Sequence, residues 1–151
     1  MPQVLNIAIA YNDPETLTSL HSSIQQLGHH VCCEATNGRR FLETSKSQRP
    51  DLMIVQEYLP DMDGLHAATE AARGDEIPIV LVVAAHDGSL VARRESGNVL
   101  AVLRGPIRQS DLMPVIPLVM HRFEQLQALR ESVRSLELEL DGAPRERPPF
   151  R

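Results

Sequence analysis

Tryptophan is absent from the 151 residues, and the remaining aromatics are two Tyr and three Phe. A core must therefore be assembled from Leu, Ile, Val, Ala and Met. Cysteine is nearly absent too. Cys32 and Cys33 are the whole supply, too few for a metal cluster or a disulfide framework. Adjacent strand residues point to opposite faces, so the pair is read as two ordinary strand residues in a reducing compartment. Positive charge is in deficit, with 15 Lys and Arg against 20 Asp and Glu and a net charge of -5. Without a long basic stripe, such a chain is a poor direct ligand for nucleic acid. No apolar run approaches membrane-spanning length. The start, Met1-Pro2-Gln3-Val4, lacks a basic segment followed by an apolar stretch, so no signal peptide is expected and the location expected is cytoplasmic.

What is present is ordinary for a globular protein: 42% hydrophobic and 23% charged residues. The length fits one domain plus an appendage. Apolar runs alternate with helical patterns. Residues 4–10 (VLNIAIA) read as a strand. Asp13-Pro14-Glu15 supplies an N-cap, a proline at the first helical position and an acid near the positive helix end. Leu17, Leu20, Ile24 and Leu27 then recur at helical spacing, and Gly28 stops the helix. Residues 30–35 form a second strand. Asn37-Gly38 is a turn signal before a helix carrying Phe41 and Leu42, which ends before Pro50. Leu52-Met53-Ile54-Val55 is a third strand, apolar throughout, as expected when both sheet faces are covered. Residues 65–73 read as an Ala-rich helix, 78–84 as a fourth strand, 88–96 as a short helix and 99–103 as a fifth strand. The fold class is therefore α/β, a doubly wound five-stranded parallel sheet.

From Ser110 the pattern changes to a single helix running to about Leu140, with Pro114 and Pro117 in its first turns and a kink expected at Pro117. Leu112, Val115, Val119, Leu126, Leu129, Val133, Leu136 and Leu140 occupy a and d positions of a heptad, broken once by Arg122. At 1.5 Å per residue the helix would be roughly 45 Å long, more than this domain can cover. Its distal half is expected to need a partner. The chain thus divides into 1–108, a domain; 109–140, the long helix; and 141–151, a tail rich in Pro and Arg that is expected to be disordered.

The stretch Arg49-Pro50-Asp51-Leu52 through Leu59-Pro60-Asp61-Met62-Asp63-Gly64-Leu65 resembles the third strand and following loop of response-regulator receiver domains, the CheY-like superfamily. Residues 10–14, Ala35-Thr36-Asn37-Gly38, 84–90 and Pro106-Ile107 fall at matching intervals, and the resemblance covers residues 4–112. It implies a flavodoxin-like receiver fold with an extended C-terminal helix. Receivers of this family phosphorylate a strand-three Asp, using Mg²⁺ held by an acidic pair after strand one. A Thr or Ser after strand four and a Lys after strand five contact the phosphoryl group.

Carried over position by position, the acidic pair falls on Tyr11 and Asn12, with Asp13 one place along. The phosphoacceptor position is Gln56, the hydroxyl position Val83 and the Lys position Gly105, with Arg104 just before it. The aromatic switch position is Val102. Mg²⁺ needs hard oxygen ligands, an acyl phosphate needs a carboxylate nucleophile, and the transferring group needs charge compensation. The resemblance therefore implies an atypical receiver with a degenerate phosphorylation pocket, no cofactor, no bound metal and no enzymatic activity. Neutral residues there also remove the self-repulsion of an acidic triad. Glu57 is expected to face away from Gln56, and Asp61 and Asp63 to serve the loop turn.

Residues 106–140 also resemble the receiver-to-coiled-coil connection of ANTAR-class antiterminator regulators. The expectation is a two-component signalling module that acts by protein–protein contact with a signalling partner and homodimerises through Leu126, Leu129, Val133, Leu136 and Leu140. The alternatives are the receiver part of an RNA-binding transcription antiterminator, or a receiver still phosphorylated through a displaced acid such as Asp13.

Overall fold

The computed structural model describes residues 3–84 and 98–142. Its centre is a five-stranded parallel sheet in the order β2-β1-β3-β4-β5, built from β1 (Asn6–Ala10), β2 (His30–Ala35), β3 (Leu52–Gln56), β4 (Ile79–Val83) and β5 (Val99–Arg104). The helices described are α1 (Pro14–Gln26), α2 (Gly38–Ser45), α3 (Gly64–Ala71) and the C-terminal α4 (Gln109–Gly142). The expected α/β architecture is thus observed. Strand ends differ from the sequence reading by a residue or two; the first strand begins at Asn6 because Val4 lies exposed before it. The short helix expected over 88–96 lies outside the described residues.

Alternation along the strands divides the core into two layers. Ala8, Met53, Val55, Leu81 and Val83 face one way, against Phe41 of α2 and Leu65, Ala67 and Ala68 of α3. Ile7, Ile9, Ile54, Val80 and Val82 face the other, against Leu17, Leu20 and Ile24 of α1 and Leu112, Ile116 and Val119 of α4. The apolar runs of β3 and β4 follow from this two-sided burial. α1 begins as its sequence signals suggest, with Asp13 as N-cap and Pro14 inside the first turn. It ends at Gly28, whose φ of 92° suits a residue without Cβ.

One expectation is corrected in β2. Cys32 and Cys33 do not face opposite layers: both pack against the α2–α3 layer, Cys33 buried and Cys32 partly so. The cause is a register shift in which Ile7 pairs with Val31 but Ala8 with Cys33, leaving Cys32 as an extra residue. Such a bulge turns the strand over, which is why Val31 lies in the α1–α4 layer. Both thiols are free.

The expected long C-terminal helix is observed as α4. It runs without interruption from Gln109 to Gly142, through Pro114 and Pro117 and past the expected end at Leu140. Pro117 leaves the Met113 carbonyl without its usual donor. Both residues are exposed, so water can take that bond. The expected disordered tail loses its first two residues to this helix; residues 143–151 lie outside the described set.

The α4 heptad also serves two purposes. Leu112 and Val119 are 0% exposed within the domain core, joined by Ile116, which the heptad omits. Leu129, Val133, Leu136 and Leu140 are 63%, 48%, 58% and 68% exposed in the single chain. The helix leaves the domain near Arg130, whose guanidinium pairs with Glu76 at 3.3 Å.

Candidate functional site

In a doubly wound sheet the loops at the C-terminal strand edge converge, and ligands bind there. The loops after β1 and β5 and the ends of β3 and β4 bring together Tyr11, Asn12, Gln56, Val83 and Gly105. Gln56 is the last residue of β3, held in register opposite Val82. Its side-chain oxygen accepts the Asn12 backbone N–H at 2.7 Å. The Tyr11 backbone N–H donates to the Ala35 carbonyl at 3.1 Å. Its ring reaches across the sheet edge, so that a Cβ on Gly105 would stand 3.0 Å from the phenol oxygen. The Gly105 N–H donates to the Val83 carbonyl at 3.0 Å, closing β5 onto β4. Val83 itself is buried. Arg104 ends β5 exposed to solvent, and Val102 is partly buried against the α2–α3 layer.

Tyr11, Asn12 and Gln56 are uncharged at this edge, beside the ionised carboxylate of Asp13. Burial pushes the Tyr11 phenol above its ordinary pKa, and the nearby Asp13 carboxylate adds to the effect. The Asp13 carboxyl is turned to α1, where it accepts the Thr16 hydroxyl and the Thr16 backbone N–H. The hydroxyl bond, with the backbone bonds behind it, holds the Asp13 pKa below the usual carboxylate range. Asp13 therefore works as a helix cap.

The loop after β3 carries three more acids, Glu57, Asp61 and Asp63. The Asp61 carboxylate accepts the N–H groups of Gly38 (2.7 Å) and Arg39 (2.9 Å) at the start of α2. These backbone bonds depress its pKa. Asp63 caps α3 through the His66 N–H at 3.1 Å. Sequence reading gave Asp61 and Asp63 to the loop turn; it did not foresee that Asp61 reaches the start of α2, whose N–H groups are more than 20 positions away in sequence. The reading of Glu57 as facing away from Gln56 did not foresee its burial; the residue is only 1% exposed just after β3.

A divalent cation, which the family resemblance implies, fits this donor set poorly. Tyr11 offers a neutral phenol, and Asn12 and Gln56 offer amides; the adjacent Asp13 turns one carboxylate oxygen to Thr16. Mg²⁺ sites are built on carboxylates. Among the described residues, no group of three His, Cys, Asp or Glu side chains is placed to hold a metal. The same residues contain no helix long and apolar enough to cross a membrane.

A parallel sheet in the order 2-1-3-4-5, with its loop residues gathered at the C-terminal edge, is the flavodoxin-like doubly wound fold. Residues 7–117 match the family model described as the response regulator receiver domain. The chain belongs to the response regulator receiver family. It is 31% identical over 135 residues to the transcriptional regulatory protein PdtaR of Mycobacterium tuberculosis, covering 89% of this chain and 66% of that protein. It is also 35% identical over 98 residues to the transcriptional regulatory protein AfsQ1 of Streptomyces coelicolor, covering 64% of this chain and 42% of that one. The chain thus spans just under two thirds of PdtaR. The fold is shared with the signal receiver domain of a modulated diguanylate cyclase from Desulfovibrio desulfuricans, at TM-score 0.72 and 22% identity over 82% of this chain and 98% of that one.

Proposed function

We propose that this receiver signals without an aspartyl phosphate, through protein–protein contacts and through pairing of α4 with a second copy. The carrying observation is the hydrogen bond from the Asn12 N–H to Gln56 Oε1. At the position where the family's nucleophilic carboxylate stands, a neutral amide has its oxygen already engaged by the β1–α1 loop. An amide is no nucleophile toward a phosphodonor. With Tyr11 over Gly105, the cation-supplying position holds a phenol instead. The β1–α1 loop is thereby tied to the end of β3, and the module acts as a constant surface for a signalling protein. In this proposal the division at 108 separates the sheet from α4, whose first turns complete the α1 layer of the domain core, and the helical bridge runs on to Gly142.

The test is incubation with Mg²⁺ and acetyl phosphate, and separately with beryllofluoride. The expected result is an unchanged intact mass and an unchanged amide NMR spectrum. A stable adduct, or Mg²⁺-dependent shifts around Gln56 or Asp13, would overturn the proposal. For the pairing, sedimentation of the parent and of Leu129→Glu is expected to give a dimer and a monomer respectively.

A second reading is favoured by the relatives, which bear the name of transcriptional regulators and extend beyond the matched region. In it, this chain is the receiver part of a longer RNA-binding antiterminator. In that reading the RNA site belongs to the longer parent, so RNA titration at physiological salt is expected to show no binding by these 151 residues; tight, salt-sensitive binding would place the RNA site within them and overturn both readings.

A further inference from the structure

The apolar stripe of α4 has two consecutive occupants along one face. From Leu112 to Val119 it is filled by the chain's own sheet. From Leu129 to Leu140 it is open. Because heptad positions keep nearly the same face, drifting about 20° per heptad in a straight helix, the domain body stands directly in line with the open stripe. A partner helix running parallel along Leu129, Val133, Leu136 and Leu140 would continue into that body at the level of the Arg130–Glu76 ion pair. A partner running the other way brings its Leu140 end, and not its own domain body, to that level.

Charge points in the same direction. The final turns of α4 carry Glu137, Glu139 and Asp141 with no basic residue in the last turn, at the end where the helix dipole is already negative. Parallel pairing sets two such ends side by side. Antiparallel pairing sets each beside the Arg130 and Arg134 of the other copy. Beside the open stripe lies a notch of about 350 Å³, lined by Glu76, Leu129, Arg130, Val133, Arg134 and Glu137. The only acid in it from the domain body, Glu76, is already compensated by Arg130.

We infer that two copies of this chain pair antiparallel through the distal half of α4, the Leu140 end of one helix seated in the notch between the Glu76 loop and Leu129 of the other. In that register Leu129 faces the partner's Leu140 and Val133 faces the partner's Leu136, which are a-to-d layers of a two-fold seam. Arg130 and the partner's Glu137 then flank the seam at e positions, within about two residues, or roughly 3 Å, of the same level. The two domain bodies lie at opposite ends of a short helical bridge. This orientation rests on the dimer reading proposed above.

Disulfide trapping tests it in the full chain. Leu129→Cys and Leu140→Cys are made separately, and each is oxidised alone and after mixing with the other, beside the parent as a control for Cys32 and Cys33. The expected result is a 129-to-140 crosslinked peptide in the mixture, by mass spectrometry, and no self-crosslink at either position alone. Self-crosslinks at 129 or at 140 would overturn the antiparallel orientation while leaving the dimer intact. A parent that sediments as a monomer would sink the dimer reading itself. Glu137→Lys, which puts a cation opposite Arg130, is expected to weaken the dimer several-fold; unchanged affinity would count against the register.

Discussion

A methyl group on Gly64 would be driven into the carbonyl oxygen of Gln56 and against the Val55 side chain. The Gly64 N–H donates to the Glu57 carbonyl at 2.7 Å, so α3 begins in direct contact with the end of β3. Gly64→Ala must push the helix off the strand, and overpacking of this kind costs about 1–3 kcal/mol. Urea unfolding should show a lower midpoint with an unchanged slope. His29 gives a second residue-scale expectation. Its Nδ1 accepts the Leu5 N–H at 3.1 Å, and burial holds its pKa below the ordinary value of 6.5. A folded pKa below the unfolded one means that the unfolded chain binds the proton more readily. The contribution is therefore complete above 6.5 and is lost as pH falls through the folded value. His29→Asn keeps an acceptor but removes the titration. The parent should lose more stability than His29→Asn between about pH 7.5 and about pH 5.5, where a histidine of ordinary pKa changes charge; parallel pH profiles would refute this.

At the scale of elements, the N-terminus of α2 shows both what sequence reveals and what it hides. Its first four N–H groups are all satisfied: Gly38 and Arg39 by Asp61, Arg40 by the Asn37 side chain at 2.8 Å, and Phe41 by the Asn37 carbonyl at 3.1 Å. The Asn37 half is local and legible as a turn-and-cap signal. The Asp61 half is supplied by another loop, which no spacing rule can find. Strands were legible because two-sided burial writes itself as unbroken apolar runs in Leu52-Met53-Ile54-Val55. The bulge at Cys32 was not, because a single extra residue leaves composition unchanged. Likewise periodicity identifies the apolar face of α4 but not what covers it. Asn37→Ala should cost about 1 kcal/mol, the usual worth of an N-cap. Pro117→Ala restores an N–H to an uninterrupted helix and should stabilise by on the order of 1–3 kcal/mol. Thermal unfolding of both variants reads the opposite signs directly.

For the whole molecule, the decisive question is where the domain ends and the bridge begins. The two core layers close at Val119, the last α4 residue of the fully buried set. Beyond it, Arg130–Glu76 is a partly exposed surface pair, the kind worth about 0–1 kcal/mol. A helix end of a dozen residues with no tertiary support is marginal in water, yet this one displays four large apolar side chains. Folding of the body and function of the distal helix are therefore separable. Truncation after Gln127 should leave a cooperatively unfolding monomer that has lost no more than about 1 kcal/mol, compared with the parent diluted below its dimer dissociation. Truncation after Arg108 should abolish folding, since it opens the α1 layer where Leu112, Ile116 and Val119 stood, and removing even one such side chain costs about 2–5 kcal/mol. If the Gln127 truncation unfolded as well, the distal helix would belong to the body and could not serve as a free bridge to a second copy.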